Sequence, residues 1–118
     1  MINNKNLLER TLKFSENIIE LVNKLPRTIV NNSLLKQLIG AATSIGANYR
    51  EACEAESSKD FVHKIKISKK ECQETTYLLK LLLKPNPRFK KEIIKLGRES
   101  IELIKIFSSI VSKFKTKF

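Results

Sequence analysis

Apolar residues recur at three- and four-residue spacing along most of the chain, and three short breaks interrupt the pattern. This period predicts four amphipathic helices and no strands. The first runs from Asn4 to Lys24, with Leu7, Phe14, Ile18, Leu21, Val22 and Leu25 on or near one face. Pro26 ends it, because proline disfavours helical backbone in the residue before it. The second runs from Asn31 or Asn32 to Ala55. Either asparagine can accept a hydrogen bond from a free first-turn N–H. Its stripe is Leu34, Leu38, Ala41, Ala42, Ile45, Tyr49 and Ala52.

The third helix runs from Ser58 to Leu83. Ser57 and Asp60, three apart, make a start like a capping box. Phe61, Ile65, Ser68, Cys72, Thr75, Leu79 and Leu82 point inward. The middle of that stripe is small and polar, so its neighbour must pack closely. Lys84-Pro85-Asn86-Pro87 is the sharpest break. Asn86 suits a cap and Pro87 a first helical turn, where its missing N–H goes unnoticed. The fourth helix continues to Lys115, with Ile93, Gly97, Ser100, Ile104, Phe107, Val111 and Phe114 in the core register.

Helices of about 20–30 residues extend roughly 30–45 Å. Connections this short join antiparallel neighbours only. The expected fold is all-α, an antiparallel up-down-up-down four-helix bundle, with residues 1–118 as a single domain. A bundle this small has a modest core and gains from oligomerising.

The central helix holds the least ordinary stretch. Gly40 and Gly46 each cost roughly 1 kcal/mol of helix propensity relative to Ala, which predicts a close backbone approach. Ser44, Asn48 and Glu51 fall on one strip beside the apolar stripe. They form a candidate polar seam, facing either Lys64, Ser68 and Thr75 on the third helix or the same seam of another subunit.

Charge adds a second candidate surface. The net charge is +11, and it is uneven: +1 over residues 1–56, +3 over 57–83 and +7 over 84–118. Such an excess points to a polyanionic partner, nucleic acid first. On the third helix Lys59, His63, Lys66, Lys70 and Tyr77 share a face away from the apolar stripe. On the fourth, Arg88, Lys91, Lys95 and Arg98 align, with Lys105 near the same row. Cations about one turn apart can follow a phosphate backbone, and Tyr77 can stack on an exposed base. No glycine-rich phosphate loop or zinc-finger spacing accompanies them.

Nothing in the chain predicts catalysis. His63 is the only histidine and has no partner of the kind a triad needs. Cys53 and Cys72 lack metal-site spacing and read as small hydrophobes in a reducing compartment. Glu51, Glu54 and Glu56 come without the repeated Glu-x-x-His elements of a di-iron bundle. No catalytic residue, metal or cofactor is expected. The start of the chain carries no apolar signal-like segment, and no apolar run nears the roughly 20 residues that span a bilayer. A cytoplasmic protein without membrane contact is expected.

The central strip also carries a family likeness. Ser-Ile-x-Ala-Asn-x-x-Glu at Ser44 to Glu51 is followed by Ser-x-Asp-Phe at Ser58 to Phe61. A long helix then closes in Tyr77-Leu78-Leu79-Lys80-Leu81-Leu82, and Leu25-Pro26 ends the first helix. The whole resembles the bacterial four-helix-bundle protein family. That family includes proteins encoded in intervening sequences of large-subunit ribosomal RNA genes and the accessory variability determinants of diversity-generating retroelements. The resemblance covers Phe14 to Leu83 in detail and the fourth helix in pattern. It departs at Tyr49-Arg50 and Ala52-Cys53, where family members often have a small residue before the glutamate and glycine after it. The resemblance implies a basic homopentamer. In the retroelement branch it implies binding to a reverse transcriptase and its template RNA. The expected function is therefore a non-enzymatic, oligomeric, nucleic-acid-binding bundle, with RNA as the first candidate. The alternative is a structural adaptor that binds a protein partner, such as a reverse transcriptase, without touching nucleic acid.

Overall fold

The computed structural model describes residues 4–115, with side chains from 6 to 114, so the very start of the N-terminal reading lies outside the described residues. Helices α1 (Asn4–Lys24), α2 (Ile29–Cys53) and α3 (Ser58–Leu83) are followed by a 3₁₀ turn, Pro87–Phe89, and by α4 (Lys90–Lys115). They form an antiparallel bundle of 49 × 22 × 21 Å. Helix α2 packs on α1 and α3, and α3 on α4; of the neighbouring helices α1 and α4 meet least.

The core follows the predicted stripes with local shifts. Phe14, Ile18, Leu38, Ile45, Tyr49, Ile65, Leu79 and Phe107 are fully buried. Leu35 takes the core place expected of Leu34, which is only half-buried. On α4, Leu96, Leu103 and Ile110 join the core, while Gly97 and Ile104 sit at its edge. Both neighbours of each such pair are apolar, so sequence spacing alone does not choose between them. Tyr49 and Phe107 meet with ring centroids 6.0 Å apart. Phe61 and Phe114 do the same at 5.3 Å, closing the opposite end of the α3/α4 pair from Asn86.

Close approach is met at one of the two central glycines. A Cβ on Gly46 would lie 3.1 Å from the Thr11 hydroxyl of α1. Gly40 faces open space, so the expectation fails there.

The helix starts need two corrections. Neither Asn31 nor Asn32 caps α2. Thr28 does, its hydroxyl accepting from the Asn31 backbone N–H at 3.0 Å. Asn86 precedes the 3₁₀ turn, but its side chain makes no cap. The two asparagines instead meet each other across the fold. Asn31 Nδ2 donates to Asn86 Oδ1 at 2.7 Å, and Asn86 Nδ2 donates to Asn31 Oδ1 at 2.9 Å. Their remaining hydrogens go to the Pro26 and Leu82 carbonyls. All polar groups of this buried amide pair are therefore engaged, and the pair ties the α1–α2 break to the α3–α4 break. Ser57 caps α3 as predicted, accepting from the Asp60 N–H at 3.1 Å.

Removing one partner leaves the other amide buried and unpaired, which costs about 1–3 kcal/mol. Asn31→Ala and Asn86→Ala should each lower stability by about that much in urea unfolding. The double variant should lose less than the two losses added together. Additive losses would show that the two amides act independently.

Candidate nucleic-acid interface

The polar strip of α2 divides when its hydrogen bonds are traced. Ser44 Oγ donates to the Gly40 carbonyl at 2.7 Å, and Asn48 Nδ2 donates to the Ser44 carbonyl at 2.9 Å. Both side chains are half-buried and bond back into their own helix. Glu51 reaches across to α3, where Lys64 Nζ lies 2.7 Å from its Oε1. Ser68 does cross the α2/α3 seam, but its hydroxyl donates to the backbone carbonyl of Ile45 at 2.9 Å. Thr75 bonds within α3, to the Glu71 carbonyl. The α2/α3 contact is thus close because small residues and a hydroxyl–carbonyl bond line it, with one ion pair at its solvent edge.

The predicted cations lie at the surface. Lys59, His63, Lys66, Lys70 and Tyr77 are exposed on α3, and Tyr77 keeps 62% of its surface in solvent. Arg88, Lys91, Lys95, Arg98 and Lys105 are exposed on the 3₁₀ turn and α4. Of these, Lys105 alone sits in an ion pair among the described residues, with Glu102 at 3.1 Å. The reason is visible on α4. Glu99 is taken up by Arg10 of α1, whose guanidinium approaches both carboxylate oxygens at 2.7 and 2.8 Å. Glu92 is taken up by Lys24 of α1. The Glu99 hydrogen bond holds Arg10 above its ordinary pKa range. Two of the three acids of α4 thus neutralise α1 and the third pairs with Lys105, leaving Lys91, Lys95 and Arg98 without an ion-pair partner among the described residues.

The two rows do not merge. Helices α3 and α4 run antiparallel, with Phe61 beside Phe114 and Thr76 bonded to Ser100 between them. Lys59 to Lys70 therefore occupy one end of the bundle and Arg88 to Arg98 the other. Lys80 on the last turn of α3 and Lys84 just after it stand at the second end and extend its positive surface. Arg98 and Lys80 border one groove between α3 and α4. Sequence reasoning passed over Lys80 and Lys84, although their four-residue spacing was in view. They sit in a leucine-rich run that reads first as core.

No group of three or more metal-ligating side chains occurs among the described residues. Cys72 is buried, and burial pushes its thiol pKa up to about 12. Burial, and then a hydrogen bond with Cys53, holds the Tyr49 phenol well above its ordinary range. No helix is long and apolar enough to cross a membrane among the described residues.

The chain matches the model of the 23S rRNA-intervening sequence protein family over residues 3–109. It is similar to a crystallised protein of unknown function from the S23 ribosomal protein family of Bacteroides thetaiotaomicron. The two share 32% identity with a TM-score of 0.78, over 88% of this chain and 96% of that one. No match is found among curated proteins.

Two expectations follow from these contacts. Glu51→Gln should cost less than about 1 kcal/mol, because a solvent-facing ion pair is screened; a larger loss in chemical denaturation would show a buried role for Glu51. Cys72 should resist iodoacetamide in the native protein at about pH 8, since the thiolate is the reactive form, and should react once the chain is unfolded. Rapid native labelling, read by peptide mass, would contradict the burial described above.

Proposed function

Because the chain belongs to the 23S rRNA-intervening sequence protein family, we propose that it is a non-enzymatic, homo-oligomeric RNA-binding bundle that acts in the cytoplasm. The observation that carries the reading is the set of cations on α3 and α4 that lack ion-pair partners among the described residues, Lys59, Lys66, Lys70, Lys91, Lys95 and Arg98. Exposed cations a turn apart attract a phosphate backbone and release its counterions, whatever the base sequence. Because the rows lie toward opposite ends of a 49 Å bundle, one RNA held by both must run along much of the molecule. Tyr77 supplies a flat, exposed ring for an unpaired base. Recognition through these cations is of backbone and shape, with any sequence preference coming from RNA structure.

The test is binding to a structured RNA and to single-stranded DNA across a salt series. Lys66→Glu/Lys70→Glu and Lys91→Glu/Lys95→Glu are run beside the unaltered protein. Affinity should fall steeply with salt, and each double variant should make the logarithmic slope shallower by about 1 to 2. If one pair matters and the other does not, a single end holds the RNA. Absence of binding at about 50 mM salt, where phosphate contacts are strong, would overturn the reading and leave an adaptor for a protein partner.

A further inference from the structure

Most of the large apolar side chains that the bundle leaves in solvent fall into two patches of opposite charge. The first lies between α1 and α2. Leu12 is 61% exposed and Ile19 43%, over a floor of small residues that includes Gly46 and Ala47. Glu9, Glu16 and Glu54 border it, with Arg50 as the one cation. This is an acidic site on a protein of net charge +11. The second patch lies between the start of α2 and the end of α3. Ile29 is 91% exposed there, with Val30 and Leu81 beside it. Its charged border is Lys80 and Lys84, with no acid.

Large apolar groups left in solvent together mark contact surfaces more often than single ones do. Each patch carries what the other lacks. The first offers a groove with small residues at its base and carboxylates at its edge. The second offers a projecting isoleucine and ammonium groups. We propose that these two patches meet between copies of this chain, Ile29 and Leu81 of one copy seating between α1 and α2 of the next, with Lys80 and Lys84 near Glu9 and Glu16. The inference rests on the homo-oligomeric reading above and assigns its contact.

The two patches are different surfaces, so the contact is heterologous. Every copy has one of each, so head-to-tail contacts repeat from copy to copy, and a rotation that closes makes them a ring. A two-fold dimer would have to make this pairing twice, the insert of each copy in the groove of the other; a dimeric mass for the unaltered chain would show that and overturn the head-to-tail arrangement. Opposite charge at the borders also rejects like-with-like pairing, since like charges brought together cost energy.

The experiment damages each patch alone and then mixes them. Leu12→Glu/Ile19→Glu removes the groove, and Ile29→Glu/Leu81→Glu removes the insert. All four positions are at the surface, and circular dichroism checks that the helices remain. Masses are read by light scattering on protein freed of nucleic acid. The unaltered chain should exceed the 13.6 kDa monomer several-fold, and each variant alone should fall to the monomer. The mixture should form a species of twice the monomer mass and no larger, because one intact contact survives per pair. Glu9→Lys/Glu16→Lys and Lys80→Glu/Lys84→Glu repeat the test with charge alone, should an apolar substitution unfold the bundle. A monomeric unaltered protein would overturn the oligomeric reading itself. An oligomer indifferent to both pairs of variants, or a mixture that stays monomeric, would overturn this contact and leave that reading standing.

Discussion

Two buried side-chain amides, Asn31 and Asn86, hold the bundle's register at one end. A buried amide needs a partner for each donor and acceptor, and here each amide oxygen is met by a residue 55 positions away in the chain. Meeting that need brings the α1–α2 break against the α3–α4 break. The two hairpins cannot slide along each other without uncoupling it. The register then sets which residues of α2 and α3 lie opposite, and so allows the Ser68 hydroxyl to reach the Ile45 carbonyl. Among the described side chains, no buried nitrogen or oxygen lacks a hydrogen-bond partner.

How much of this was legible in the sequence depends on the range of the interaction. Periodicity is local, and it identified four helices, their order and most core positions. Capping is also local, yet Thr28 and Asn31 are both good caps three residues apart. Asn31 reads as a cap until Asn86 stands beside it, and nothing near Asn31 in the chain announces Asn86. The polar strip of α2 shows the same limit. Helical geometry puts Ser44, Asn48 and Glu51 on one line. It does not say that two of them turn back to their own carbonyls while Glu51 crosses to Lys64.

The candidate surface was legible in composition and less so in arrangement. Each row of cations follows from helical spacing. That the rows sit toward opposite ends follows only from the antiparallel course of α3 and α4. That Lys91, Lys95 and Arg98 lack ion-pair partners among the described residues follows from where Glu92 and Glu99 turn, toward Lys24 and Arg10 of α1. A sequence shows how many charges there are; tertiary structure shows which of them are already neutralised.

The uncompensated cations of α3 and α4 bear on the fold as well as on its ligands. Like charges gathered on neighbouring helices repel, and a high net charge works against the compact state. The folded chain thus carries a tension that Glu92 and Glu99, spent on α1, do not relieve. Any polyanion that binds the native state relieves it and stabilises the fold by mass action. A fold so arranged would be more stable with a polyanion bound than without one.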